Sequence, residues 1–155
     1  MDTPWQIELL GRLRAVQPDR SVARFRTQKT GALLAYLAYR RERPHPREEL
    51  IELLWPESDP AAGRASLSTA LASLRRQLEP PGVPQGAVLQ ASRASVQLSP
   101  TATATDVDRF ESALQAAARA RGEREQEEWL AQAVQCYRGE LLPGYFEEWI
   151  LPERQ

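Results

Sequence analysis

The residues of this chain best suited to chemistry lie between 64 and 78, in RASLSTALASLRRQL. On a helix drawn at ~100° per residue, Ser66, Thr69, Ala72, Ser73 and Arg76 share one side, with Arg64, Ser68 and Arg75 on its flanks. None of them is acidic. Short side chains let a helix backbone come close to a partner, and guanidiniums at the margins suit an anionic one. The chemistry is therefore recognition of a polyanion, with double-stranded DNA the obvious instance. Leu67, Leu71, Leu74 and Leu78 form the opposite, core-facing stripe. Taken alone, the stretch reads as an ordinary amphipathic surface helix; its neighbours have to decide.

Those neighbours are the elements that would position it. Residues 5–25 hold two short alternating apolar runs, Ile7 to Leu9 and Leu13 to Ala15, and the turn-rich Gln17-Pro18-Asp19-Arg20, which predict a small antiparallel sheet. Thr27 stands at an N-cap position before a helix carrying Leu33, Leu34, Leu37 and Ala38 to about Arg41. A second helix, 47–55, has Glu48 and Glu49 in its first turn, where the helix dipole favours them. Pro56 to Gly63 reads as a loop rich in breakers, and the third helix, 64–78, follows. Val88 to Gln90 and Val96 to Leu98 predict a hairpin with Arg93 at its tip, where a wing can touch a phosphate or enter a minor groove.

Pro100 to Ala104 reads as a linker. Beyond it, Thr105 caps a helix with Val107, Phe110, Ala113, Leu114 and Ala117 as its apolar face. A second helix over about 125–138 offers Trp129, Leu130, Ala133, Val134 and Tyr137, closed by Gly139 as a C′ residue. The stretch from Tyr145 predicts the start of a third helix. The expected fold is mainly α with a small β-sheet: a winged helix-turn-helix at 1–100, then an αα-hairpin at 101–155 in the manner of a truncated tetratricopeptide array.

The formal net charge of −1 hides an asymmetry: residues 1–100 carry 14 Arg or Lys against 10 Asp or Glu, residues 101–155 carry 6 against 11. The front portion is the one to meet an anion. Cys136 is the single cysteine, which excludes an intramolecular disulfide or a cysteine metal cluster. No apolar run is long enough to span a bilayer and the N-terminus lacks a signal-peptide layout, so a cytoplasmic location without membrane association is expected. His45, the single histidine, sits in Pro-His-Pro and reads as a solvated loop residue; Trp55, Trp129 and Trp149 read as core. No nucleophile, base and orienting group occur together, no phosphate loop is present, and the expectation is a non-enzyme without cofactor or metal.

TQKTGALLAYLAYRR, PREELIELLWPESD and ASLSTALASLRRQL, in this order, resemble the DNA-binding domain of bacterial activators of the Streptomyces antibiotic regulatory protein type, whose N-terminal domain is similar to OmpR-like winged helices. DVDRFESAL followed by YRGELLPGYFEEWILPER resembles the opening of their bacterial transcriptional activator domain, a tetratricopeptide-like array. The resemblance implies that the third helix enters the major groove with Arg64, Ser68, Thr69, Ser73 and Arg76 facing DNA. It further implies that Thr27, Gln28 and Lys29 hold the phosphate backbone and that Arg93 belongs to the wing. It also implies direct repeats near a promoter, contact with RNA polymerase and activation; a winged helix reading such sites is expected to act as a dimer, oligomer or tandem pair on half-sites about one helical turn, ~10 bp, apart. Pro46 replaces the usual capping Ser or Thr, and the wing tip SRAS lacks the usual glycine. The alternative is a protein–protein interaction module in which the hairpin 105–155 does the work and the winged helix does not bind DNA.

Overall fold

The computed structural model describes residues 3–142. The helix expected from Tyr145, and Trp149 with it, lie outside the described residues.

Strand β1 (Trp5–Glu8) pairs antiparallel with β2 (Arg14–Gln17), and β2 with β3 (Arg20–Val22), across the predicted turn. Alternation sends Trp5, Ile7 and Ala15 into the core. Helix α1 (Gln28–Tyr39) begins where predicted, with the Thr27 hydroxyl accepting from Thr30 N at 3.1 Å. It buries Leu33, Leu34, Leu37 and Ala38.

Helix α2 (Arg47–Leu54) is entered from Pro46 without a side-chain cap. Helix α3 runs Pro60–Leu78, four residues longer at its start than predicted. The prolines of PESDP are not equivalent as breakers. Asp59 is the N-cap, its carboxylate accepting from Ala62 N at 2.9 Å, and Pro60 occupies the first turn, where a missing N–H costs nothing. The α2–α3 connection is therefore residues 55–59. Gly63 lies inside α3 because a Cβ there would come within 2.5 Å of Ile51 Cγ2, so the two helices cross against bare backbone. Leu67, Leu74 and Leu78 are fully buried as the stripe requires, and Leu78 O accepts from the indole N–H of buried Trp5 at 3.0 Å.

The predicted hairpin forms from β5 (Leu89–Ala91) and β6 (Ser95–Leu98). It gains a third strand that the sequence did not announce, β4 (His45–Pro46), antiparallel to β6. This corrects the reading of His45 as a solvated loop residue. Its ring is fully buried 5.0 Å from the Tyr36 ring, and Nε2–H donates to Arg40 O at 2.7 Å.

The expected linker is also corrected. Residues Thr103–Thr105 form β7, which pairs parallel with β1 and completes a sheet of order β3-β2-β1-β7. Helices α4 (Asp106–Ala118) and α5 (Glu123–Cys136) follow as the antiparallel pair. The Asp106 carboxylate accepts from Leu9 N at 2.8 Å and Leu10 N at 3.0 Å, and Arg41 reaches Asp108 at 2.7 Å, so the pair is bonded to the winged helix directly. Of the apolar face expected on α5 only Ala133 is buried; Trp129 is half-buried, and Leu130, Val134 and Tyr137 are exposed. Helix α5 packs on α4 through one narrow stripe, and no other described element covers it. It ends at Cys136, and Gly139 serves a close approach to Gly11 rather than a cap.

Candidate nucleic-acid interface

Helix α3 contains no acidic residue over its whole length, and its solvent side is made of Arg64, Ala65, Ser68, Thr69, Ala72 and Arg76, all exposed. The four small ones keep that surface close to the helix axis, and the two arginines rise at either end of it. Ser73 is not part of this face, contrary to expectation: it is 7% exposed. The reason is tertiary. Gln77, about 40° from Ser73 around the helix, donates from Nε2 to Arg24 O at 2.8 Å, so the segment before α1 lies over that side of α3.

On the other side, α3 and the wing enclose a trough. One concavity, of about 740 Å³, is bordered by Arg47, Arg64, Ser68, Ser92 and Arg93, with Glu48 the one acidic side chain on its edge, so three arginines face it against one carboxylate. Another, of about 540 Å³, continues it past Arg47, Ser68, Ala72 and Arg76. Arg47, Ser68 and Ala91 border both, so they form the waist of one channel that runs along the helix. Arg64, Arg76 and Arg93 have no acidic partner among the described residues. Arg75 does: its guanidinium is 2.6 Å from Glu79, which removes it from the set of available cations.

Glu79 organises the floor of this channel. Its side chain is 1% exposed. Burial alone would raise its pKa, but N–H groups of Leu89, Val88 and Gly86 and the Arg75 guanidinium outweigh burial and hold it below the ordinary 4.5. One carboxylate thus fixes the C-terminus of α3 to the start of β5, and so the helix to the wing.

The wing tip needs no glycine. Ser92 Oγ accepts from Ala94 N at 3.2 Å and Ser95 N at 3.1 Å, a hydroxyl-stabilised turn that leaves Arg93 exposed at its apex. Arg47 at the head of α2 is tied to the same tip. Thr27, Gln28 and Lys29 head α1 and do not border the trough, and the Thr27 hydroxyl is engaged as the cap. Just upstream, Arg24 is held beside α3 through its carbonyl on the flank away from the wing, and both it and Arg26, two residues on, are exposed. Neither they nor Arg47 stand out in the sequence, where each is one surface arginine among many. The Gln77–Arg24 and Arg47–Ser92 bonds that place them span 53 and 45 residues.

A three-helix core with an acid-free third helix between a winged hairpin and a basic segment is a winged helix-turn-helix arrangement. Residues 25–93, less than half of the chain, match the family described as transcriptional regulatory protein, C terminal. The transcriptional regulatory protein EmbR of Mycobacterium bovis and that of Mycobacterium tuberculosis are each 36% identical to this chain over 84 residues, which is 54% of this chain and 22% of theirs. A solved structure of Mycobacterium tuberculosis EmbR in complex with a low affinity phosphopeptide superposes with a TM-score of 0.75 at 30% identity, covering 91% of this chain and 38% of that one. The chain spans about a fifth of the length of the curated relatives it matches.

Proposed function

We propose that this chain is a sequence-specific, DNA-binding transcriptional activator that inserts α3 into the major groove of promoter DNA. The observation that carries this is the acid-free outer face of α3, bordered by a cationic channel on the wing side and by Arg24 and Arg26 on the other. The two phosphate strands that wall a major groove would then run along these two flanks. Ser68, Thr69 and Arg76 read base edges, whereas Arg24, Arg26, Arg47, Arg64 and Arg93 neutralise phosphates. Thr27, Gln28 and Lys29 add to the strand beside Arg24 through the head of α1.

Two copies on direct repeats one helical turn, ~10 bp, apart would present the paired helices α4 and α5 to RNA polymerase. The role places the protein in the cytoplasm, where bacterial promoters are. No helix among the described residues is long and apolar enough to cross a membrane.

A second reading is favoured by one observation, the exposure of Leu114, Leu130, Val134 and Tyr137 on the helical pair. In it the pair is the working surface of a protein-interaction module and the winged helix is a scaffold. Titration of the full chain against sequences selected from random DNA separates the two. Salt-dependent binding lost in Arg76→Ala and Thr69→Ala supports the activator, and binding indifferent to both substitutions supports the module.

A further inference from the structure

Arg47 has a role that neither its sequence context nor the family match assigns. It is half-buried at the waist of the channel, bordering both concavities. Its backbone N–H donates to Ala94 O at 3.0 Å, extending the β4–β6 ladder by one bond. Its Nε–H donates to Ser92 O at 2.7 Å. Of the five N–H donors of a guanidinium, the four on the terminal amines have no partner among the described residues.

We propose that Arg47 does two jobs with one guanidinium: it is the positioning residue that sets the wing tip against α3, and it holds a phosphate of the strand passing between them. This rests on the DNA-binding reading above. Closing on a phosphate leaves the Nε–Ser92 bond intact, because the two edges of the guanidinium are distinct. The wing tip and the phosphate are thereby held at a fixed separation, and Arg93 is delivered to the backbone or the adjacent minor groove without a search. A wing without this tie must order on binding, which weakens the complex.

Two substitutions separate the jobs by covalent length. In Arg47→Gln the amide nitrogen stands as many bonds from the backbone as arginine Nε, so the bond to Ser92 O is kept while the charge is lost. In Arg47→Lys the charge is kept and the Nε donor is lost. The full chain is titrated with its selected DNA across a salt series, and amide exchange of Ala94 and Ser95 is followed in the free protein. Arg47→Gln is expected to reduce the magnitude of the slope of log K against log salt by about 0.9 and to weaken binding about eightfold at ~0.1 M salt. Arg47→Lys is expected to keep the slope, to speed exchange at Ala94 and Ser95, and to shrink the loss caused by Arg93→Ala relative to the wild-type background.

An unchanged slope in Arg47→Gln overturns the phosphate contact. Unchanged exchange in Arg47→Lys, with an undiminished Arg93→Ala penalty, overturns the positioning role. Either result leaves the functional reading standing as long as Arg76→Ala still loses binding. A wild-type chain that retains no DNA removes the functional reading and this proposal together.

Discussion

The salt dependence of DNA binding can be worked from the positions of individual arginines. Arg24, Arg26, Arg64 and Arg93 are exposed, Arg47 is half-buried in the channel, and none has an acidic partner among the described residues. Arg75 is discounted because Glu79 already neutralises it at 2.6 Å, and Arg76 is assigned to base edges. These five arginines, at about 0.9 counterion each, contribute about −4.5 to the slope for one protomer, before any addition from Lys29 at the head of α1. Raising salt fourfold, from ~50 to ~200 mM, should then weaken binding about 500-fold. The distribution is tested by Arg24→Ala/Arg26→Ala, which should bring the slope to about −2.7 on every DNA sequence alike. Arg76→Ala and Thr69→Ala should instead relax the preference for the selected sequence, by about 1–3 kcal/mol for each base edge no longer read, against a uniform weakening for the phosphate variants. The assay is fluorescence anisotropy on a labelled duplex against a scrambled competitor. A slope near −1, or an Arg24→Ala/Arg26→Ala protein with the wild-type slope, would refute the placement of the two strands along the flanks of α3.

Three further outcomes concern the scaffold that holds this face. Gly63→Ala gains helix propensity but forces a Cβ to within 2.5 Å of Ile51 Cγ2, next to a branched and poorly yielding side chain. Chemical denaturation should show a net loss of about 1–2 kcal/mol, with weaker DNA binding as α2 and α3 part. Glu79 titrates below its ordinary 4.5 in the folded state, so its stabilising contribution is present above that pH and lost as pH falls through the folded value. Glu79→Gln should cost about 2–3 kcal/mol at neutral pH and flatten the acid limb of a stability–pH profile, whereas an unchanged acid limb would show the carboxylate to be idle. Arg41 donates to Asp108, Pro100 O and Thr103 O, and its own carbonyl accepts from Gln97 of β6. Arg41→Ala should free α4, read as protease sensitivity between residues 99 and 106, and a protection pattern identical to wild type would contradict that.

Much of the fold is legible because the leucines of α1, α2 and α3 recur at helical spacing, and because Thr27 and Thr105 mark helix starts by a mechanism that acts within three residues. Where sequence and structure part, the deciding partner is mostly far along the chain. Thr103 and Thr105 alternate with alanine as a strand would, but a three-residue strand is persuasive only when β1, some 98 residues earlier, lies beside it. His45 between two prolines reads as loop until Val96 pairs with it. Pro60 misleads for a local reason instead: a proline one residue after Asp59 starts a helix, and a count of breakers ignores order.

The same distinction governs the site. Polarity on a helical wheel says which residues avoid the core of their own helix, and it correctly singles out Arg64, Ser68, Thr69 and Arg76 as exposed. It is silent on what the rest of the chain lays over that face, and so it puts Ser73 among them. The channel is a further step removed, since no single element possesses it: α3 supplies one wall, the wing the other, and Arg47 with Glu79 sets their separation through bonds to Ser92, Val88 and Leu89. A groove between elements is defined by their spacing, and here that spacing rests on one buried carboxylate and one half-buried guanidinium. Substituting Glu79, or replacing Arg47 by a residue that loses the bond to Ser92, should therefore alter DNA affinity more than the removal of its own hydrogen bonds accounts for, because each such change widens the seat of every other group that meets the DNA.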